Sequence, residues 1–137
     1  MDIEFTVFGN PKPQSRPRFF KRGNFVTVYD KDKVDKTNFA QVASTSAPQF
    51  LIEAPIMLNI IFCLQRPKSH YGTGKNEGIL KSNAPRYHIK KPDVDNLVKF
   101  VMDSLNKVFW KDDSQVYKVN MLKRYDDEPR TIISLHI

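Results

Sequence analysis

The chain has 137 residues, 40% of them hydrophobic, with a net charge of +7 and a single cysteine. That length holds one hydrophobic core but not two, and that composition excludes a disordered polymer, so one domain over residues 1–137 is expected. A lone cysteine excludes an internal disulfide, no apolar run nears the ~20 residues of a membrane span, and MDIEFTVFG is no signal peptide; the expectation is a cytoplasmic protein with no membrane partner.

In chain order, Ile3, Phe5 and Val7 alternate with polar residues and predict a strand ending at Gly9. GNPKPQSRPRFFKRGN follows, with five basic residues, three prolines and no acid, and leads through a turn at Lys21–Asn24 into FVTVY, as one arm of a hairpin would. Asp30 is placed to cap a helix running to about Ser46, with Val34, Asn38, Phe39 and Val42 toward the core. Pro48 closes it. From Ile56 to Leu64 both faces of a strand are apolar, which predicts the centre of a sheet. Residues 66–91 then form a long polar segment, of the length that in compact domains is functional or disordered.

A second helix begins near Asp93, where Pro92 disfavours helical geometry at Lys91 and Asp93 offers a capping oxygen. Val94, Leu97, Val98, Val101, Met102, Leu105 and Val108 recur at steps of three and four and predict its buried stripe. Asp95, Lys99 and Asp103 climb a different face. After Asp112-Asp113, QVYKVNMLKRY and RTIISLHI read as two strands of an antiparallel hairpin, joined by a turn at Asp126–Pro129. The whole reads as an α/β domain with a mixed β-sheet and two helices.

The charge is unevenly placed. Segments 9–24 and 66–91 hold 12 of the 22 basic residues and 1 of the 15 acids. Lys12, Arg16, Arg18, Lys68, Lys75, Lys81, Arg86, Lys90 and Lys91 are the candidates for gripping nucleic-acid phosphates, with solvated loops as the plainer reading. Four acids, Asp93, Asp95, Asp112 and Asp113, gather instead around the second helix. One by one they fit bland roles: a cap, a first-turn carboxylate, an i,i+4 pair of Asp95 with Lys99, a polar turn. Together they suit Mg²⁺, which takes a few carboxylates plus water and phosphate oxygens, and the chain turning back after Phe109-Trp110 lets both pairs converge on one ion. Trp110 is expected to pack rather than to stack on a base. His70, His88 and Cys63 match no zinc spacing, and Asp93–Ser104 lacks the ligands of a calcium loop.

The run PDVDNLVKFVMDSLN followed by WKDDSQV resembles the signature of the RusA family of Holliday junction resolvases. Weaker similarity extends to GNPKPQSRPR and RPKSHYGTGK. The resemblance implies catalytic aspartates at Asp93, Asp95 and Asp113, which are also metal ligands, and a catalytic lysine at Lys99. Asp112 is a spare ligand and Asp103 a supporting residue. It further implies a RusA-like fold, Mg²⁺ with Mn²⁺ as a substitute, and branched DNA, the four-way junction, as partner. It also implies a functional homodimer, which suits a nearly two-fold substrate that is cut twice. A nuclease acting on flaps, forks or RNA, and a binding module that does not cut, stay open beside it. Clustered acids argue against the latter, because without a metal they repel phosphate.

Overall fold

A computed structural model describes residues 1–16 and 18–137, apart from the side chains of Arg18 and Phe20. In chain order they form β1 (Asp2–Phe8), β2 (Arg18–Arg22), β3 (Phe25–Tyr29), α1 (Lys33–Ala43), β4 (Ile56–Gln65), α2 (Val94–Leu105), β5 (Val116–Asp126) and β6 (Arg130–His136). Four strands make a mixed sheet in the order β1-β6-β4-β5, and β2 pairs with β3 alone. The expected α/β architecture with two helices is what forms.

The ten-residue β4 sits inside this sheet because its two faces are both apolar. On one face Ile56, Leu58, Ile60, Phe62 and Leu64 are buried with Phe5, Val7, Ile133 and Leu135 under the helices. β4 pairs in parallel with β5 and antiparallel with β6. The expected β5–β6 hairpin therefore does not exist. The chain leaves β5 at Asp126 and passes over to the far side of β4, where Ile133 lies opposite Ile60 and Leu135 opposite Leu58, a better-covered place for that face than the sheet edge beyond β5. Asp126 holds this connection by accepting from Glu128 N–H and pairing with Arg130.

The β2–β3 hairpin turns in two residues, Gly23 and Asn24, with Gly23 at φ 60°, a conformation open to glycine at no steric cost. All five side chains of β3 are exposed, so the hairpin stands off the body.

Helix α1 begins later than expected. Asp32 occupies the N-cap position, while Asp30 accepts from Asp32 N–H at 2.9 Å. Val34 and Val42 were expected in the core, yet they are 71% and 53% exposed, and Asn38 is also exposed. The pattern is too weak to define a broad stripe, and α1 buries only Ala43 fully, with Phe39 packed on the cluster. Helix α2 matches its stripe: Leu97, Val98, Val101 and Leu105 are buried. Phe100 and Ser104 are buried too, on the flank that meets α1, where Phe100 stands edge-on to Phe39 at 5.8 Å. The helix ends at Leu105, and Val108 lies beyond it, half-buried.

Asp32 ties the basic N-terminal segment to α1. It is buried and accepts from Ser15 N–H at 2.6 Å and from Ser15 Oγ at 3.1 Å. Asp32→Ala is therefore expected to cost about 1–3 kcal/mol of unfolding free energy in chemical denaturation, the cost of leaving a covered donor unpaired.

Candidate active site

The approach to α2 is fixed by β5. Tyr125 N–H donates to Arg86 O at 2.9 Å and His88 N–H to Lys123 O at 3.3 Å, so residues 86–88 run beside the end of that strand. The Lys123 ammonium then donates to Lys90 O and Pro92 O, each at 2.7 Å. Sequence reasoning missed Lys123. Its signal was a charge on the covered side of a strand, in register with Val119, Met121 and Tyr125.

Asp93 takes the N-cap position with extended backbone (φ −72°, ψ 145°), and its carbonyl accepts from Leu97 N–H. Its side chain makes no capping bond, contrary to the expected cap role. Asp93 and Asp95 are both exposed at the positive end of the helix dipole, which favours their ionised forms. Asp95 forms no ion pair with Lys99, one turn on and also exposed, so the simple i,i+4 pair is not present among the described residues. At ~100° per residue, Asp95 and Lys99 lie on the far side of the buried stripe from Phe100, hence on the flank turned away from α1.

The second acid pair stands at the other end of α2. Trp110 is fully buried, as expected of a packing residue, and its Nε1–H donates to Asp113 Oδ1 at 2.7 Å. Burial pushes the Asp113 carboxyl above the ordinary carboxylate range; the Trp110 bond opposes this, while the charges of Asp103 and Asp112 add to it. Asp112 is committed to structure. It accepts from Ser114 N–H at 2.9 Å, its own N–H donates to Gln115 Oε1 at 2.8 Å, and together they cap the short turn Asp113–Gln115. The Ser114 bonds hold Asp112 below the usual carboxylate range. Asp103 pairs at 3.3 Å with Lys36, which also holds Asp30 at 2.6 Å.

The expected convergence on one ion is not found within a single chain. The 12 residues of α2 span about 18 Å and separate Asp93 and Asp95 from Asp113. Among the described residues no three His, Cys, Asp or Glu side chains are grouped to hold a metal ion. The donors fit Mg²⁺ in kind, being carboxylate oxygens with open positions, but not in number.

Of the expected DNA-binding residues, Arg16, Lys68, Lys75, Lys81, Arg86, Lys90 and Lys91 are exposed. Lys12 is exposed but pairs with Asp35 at 2.8 Å. Arg18 contributes backbone to β2, and its side chain lies outside the described residues. The loop 66–91 is ordered by short turns at Lys68–His70 and Gly74–Asn76 and by a clasp on Tyr125. His70 and His88 pack against that ring at 4.7 and 4.9 Å, and the Arg66 guanidinium lies over it at 5.4 Å.

Residues 9–136 match the family described as Endodeoxyribonuclease RusA. The chain belongs to the RusA family. It is also 37% identical over 140 residues to a Bacillus subtilis (strain 168) protein named "Uncharacterized protein YqaN", covering 97% of this chain and 94% of that one. Among the described residues, no helix is long and apolar enough to cross a membrane.

The clasp yields a pH dependence. Burial lowers both histidines from the ordinary 6.5, helped by Arg66 at His70 and by Lys123 at His88. His88 Nδ1 is also covered without a hydrogen-bond partner. The unfolded chain therefore binds these protons first, so the clasp's contribution is complete above 6.5 and is lost as pH falls below it. Melting curves should drop in that window, and His88→Phe, which keeps a ring on Tyr125, should flatten the drop.

Proposed function

We propose that this RusA-family chain is a Mg²⁺-dependent, structure-specific endodeoxyribonuclease that resolves four-way DNA junctions by paired nicks, with Mn²⁺ able to substitute. The observation that carries this reading is the pair Asp93 and Asp95, two carboxylates without a structural partner at a helix start, with the exposed Lys99 one turn beyond. In a basic chain such a pair is poorly placed for phosphate unless a cation joins it.

Because one chain keeps Asp113 a helix length away, the working unit is a homodimer in which the partner's Asp113 completes each site. Asp93, Asp95 and that third carboxylate would hold the ion. The ion would supply charge neutralisation on the scissile phosphate and activation of the attacking water. Lys99 places a positive charge beside the same phosphate, where negative charge builds in the transition state. Trp110 holds Asp113 in one orientation. Asp112, committed to its turn, is the least suited of the acids to ligate. The exposed lysines and arginines of segments 9–24 and 66–91 hold the arms of the junction through phosphates. A two-fold unit sets two such sites on a nearly two-fold substrate, which paired nicking requires.

The test is incubation of the purified protein with end-labelled four-way, forked and linear DNA, with Mg²⁺ or with chelator. Cleavage of the four-way substrate only with metal is expected; preference for forks would move the assignment to a flap or fork nuclease, and no cleavage would leave a binding module. Asp95→Asn and Asp113→Asn should each abolish cutting and retain junction binding. Mixing the two variants should restore about a quarter of the wild-type nicking, because each mixed dimer carries one intact site. A site built within one chain would stay inactive in the mixture.

Lys99→Ala should lower the single-turnover rate about 10²-fold and leave junction affinity nearly unchanged, as expected when one electrostatic donor to the transition state is lost. Replacing Lys75 and Lys81 by Glu should instead weaken junction binding and flatten its salt dependence, read by titration at several salt concentrations.

A further inference from the structure

The strand β5 ends the four-stranded sheet, with β4 on one side and no strand on the other. Its last part is covered there, since Lys123 and Tyr125 exchange bonds with His88 and Arg86. Along a strand, alternate residues turn their N–H and C=O to the same edge. Val119 and Met121 therefore turn theirs outward beside Lys123, and among the described residues nothing receives them. Tyr117, Met121 and Leu122 are 67%, 41% and 36% exposed along this stretch, which contains no proline and one charge, Lys118. Such an edge is a template for another strand.

We propose that the outer edge of β5, from Lys118 to Leu122, pairs antiparallel with the same edge of a second copy of this chain. A two-fold axis through the sheet requires the antiparallel sense. The charges of the strand select the same partner. Its start carries Asp112 and Asp113, and its end is flanked by Lys123, Arg86, Lys90 and Lys91. Antiparallel pairing sets the acidic start of each copy toward the basic end of the other, twice over, whereas another strand of mixed charge gains this on neither side.

The same pairing accounts for the split site, a step that rests on the nuclease reading above. Lys123 anchors Pro92 near the end of β5, so the partner's Asp113 comes toward Asp93 and Asp95. The flank of α2 that carries Asp95 and Lys99 is the one turned away from α1, over this edge. The bare edge and the charge pattern stand without that step.

Sedimentation of the full chain tests the proposal. The wild type should be a dimer. Met121→Pro removes an outward N–H and leaves the bonds to β4 intact, so the dissociation constant should rise roughly 30-fold, two inter-chain bonds being lost and each worth about a factor of five. Circular dichroism should show the variant folded. Should the variant fail to fold, cysteines decide: in a Cys63→Ser chain, at least one of Lys118→Cys, Asn120→Cys and Leu122→Cys should form an inter-chain disulfide under mild oxidation. A monomeric wild type, a folded Met121→Pro chain that dimerises normally, or no cross-link at any of the three positions would overturn the proposal. A dimer that passes these tests and cuts no DNA keeps the edge pairing and removes the nuclease reading; a cutting dimer indifferent to them does the reverse.

Discussion

Parallel pairing of β4 with β5 is the constraint from which the rest of the molecule follows. Two parallel neighbours cannot be joined by a tight turn, so the chain must travel the length of the sheet before β5 starts. The loop 66–91 and α2 are that return path. The helix consequently runs against the direction of both strands, with its first turn near the end of β5 and its last turn near the start. Everything placed at one terminus of α2 is thereby kept from whatever stands at the other. The separation of the two acid pairs is thus a consequence of topology and not of local geometry.

The fates of the acidic side chains differ in an informative way. Asp30, Asp32 and Asp103 tie α1 and the N-terminal segment to the body, Asp126 holds the step from β5 to β6, and Asp112 caps a turn. Asp113 is oriented by an indole. Asp93 and Asp95 are engaged in none of these tasks. A charged group that contributes nothing visible to the architecture, placed where the helix dipole favours its negative form, is best explained by what it binds. Lys123 shows the complementary case: a cation used entirely for building, which sets where that helix begins.

The strongly periodic parts of this fold were legible in the sequence. Alternation in β1 and β4 and the stripe of α2 report directly on a face that must leave water, and the spacing of PDVDN, Lys99 and WKDD identified the residues of interest. Partner choice was not legible. RTIISLHI has the pattern of a strand wherever it sits, and nothing local says that it passes β5 to reach β4. For α1, hydrophobic side chains at Val34 and Val42 suggested a buried face, but a helix packed mainly on α2 and the outermost strand has little core to meet. Convergence of the carboxylates failed for the same reason as the hairpin, since both depended on how β5 lies relative to α2. Polar partners such as Lys36 with Asp30 and Asp103 are distant in sequence and carry no periodic signal.

The bond from Trp110 to Asp113 has an optical consequence. Trp110 is the only tryptophan in the chain and is fully buried, so the near-ultraviolet emission of the native protein comes from one indole in one environment. That indole donates its N–H to a carboxylate at 2.7 Å. Any event that alters the electron density on Asp113, whether a proton, a cation or the approach of a neighbouring charge, is felt at the ring through a single hydrogen bond. The chain carries an intrinsic fluorophore wired to one acid of its candidate site, and needs no added label to report on it.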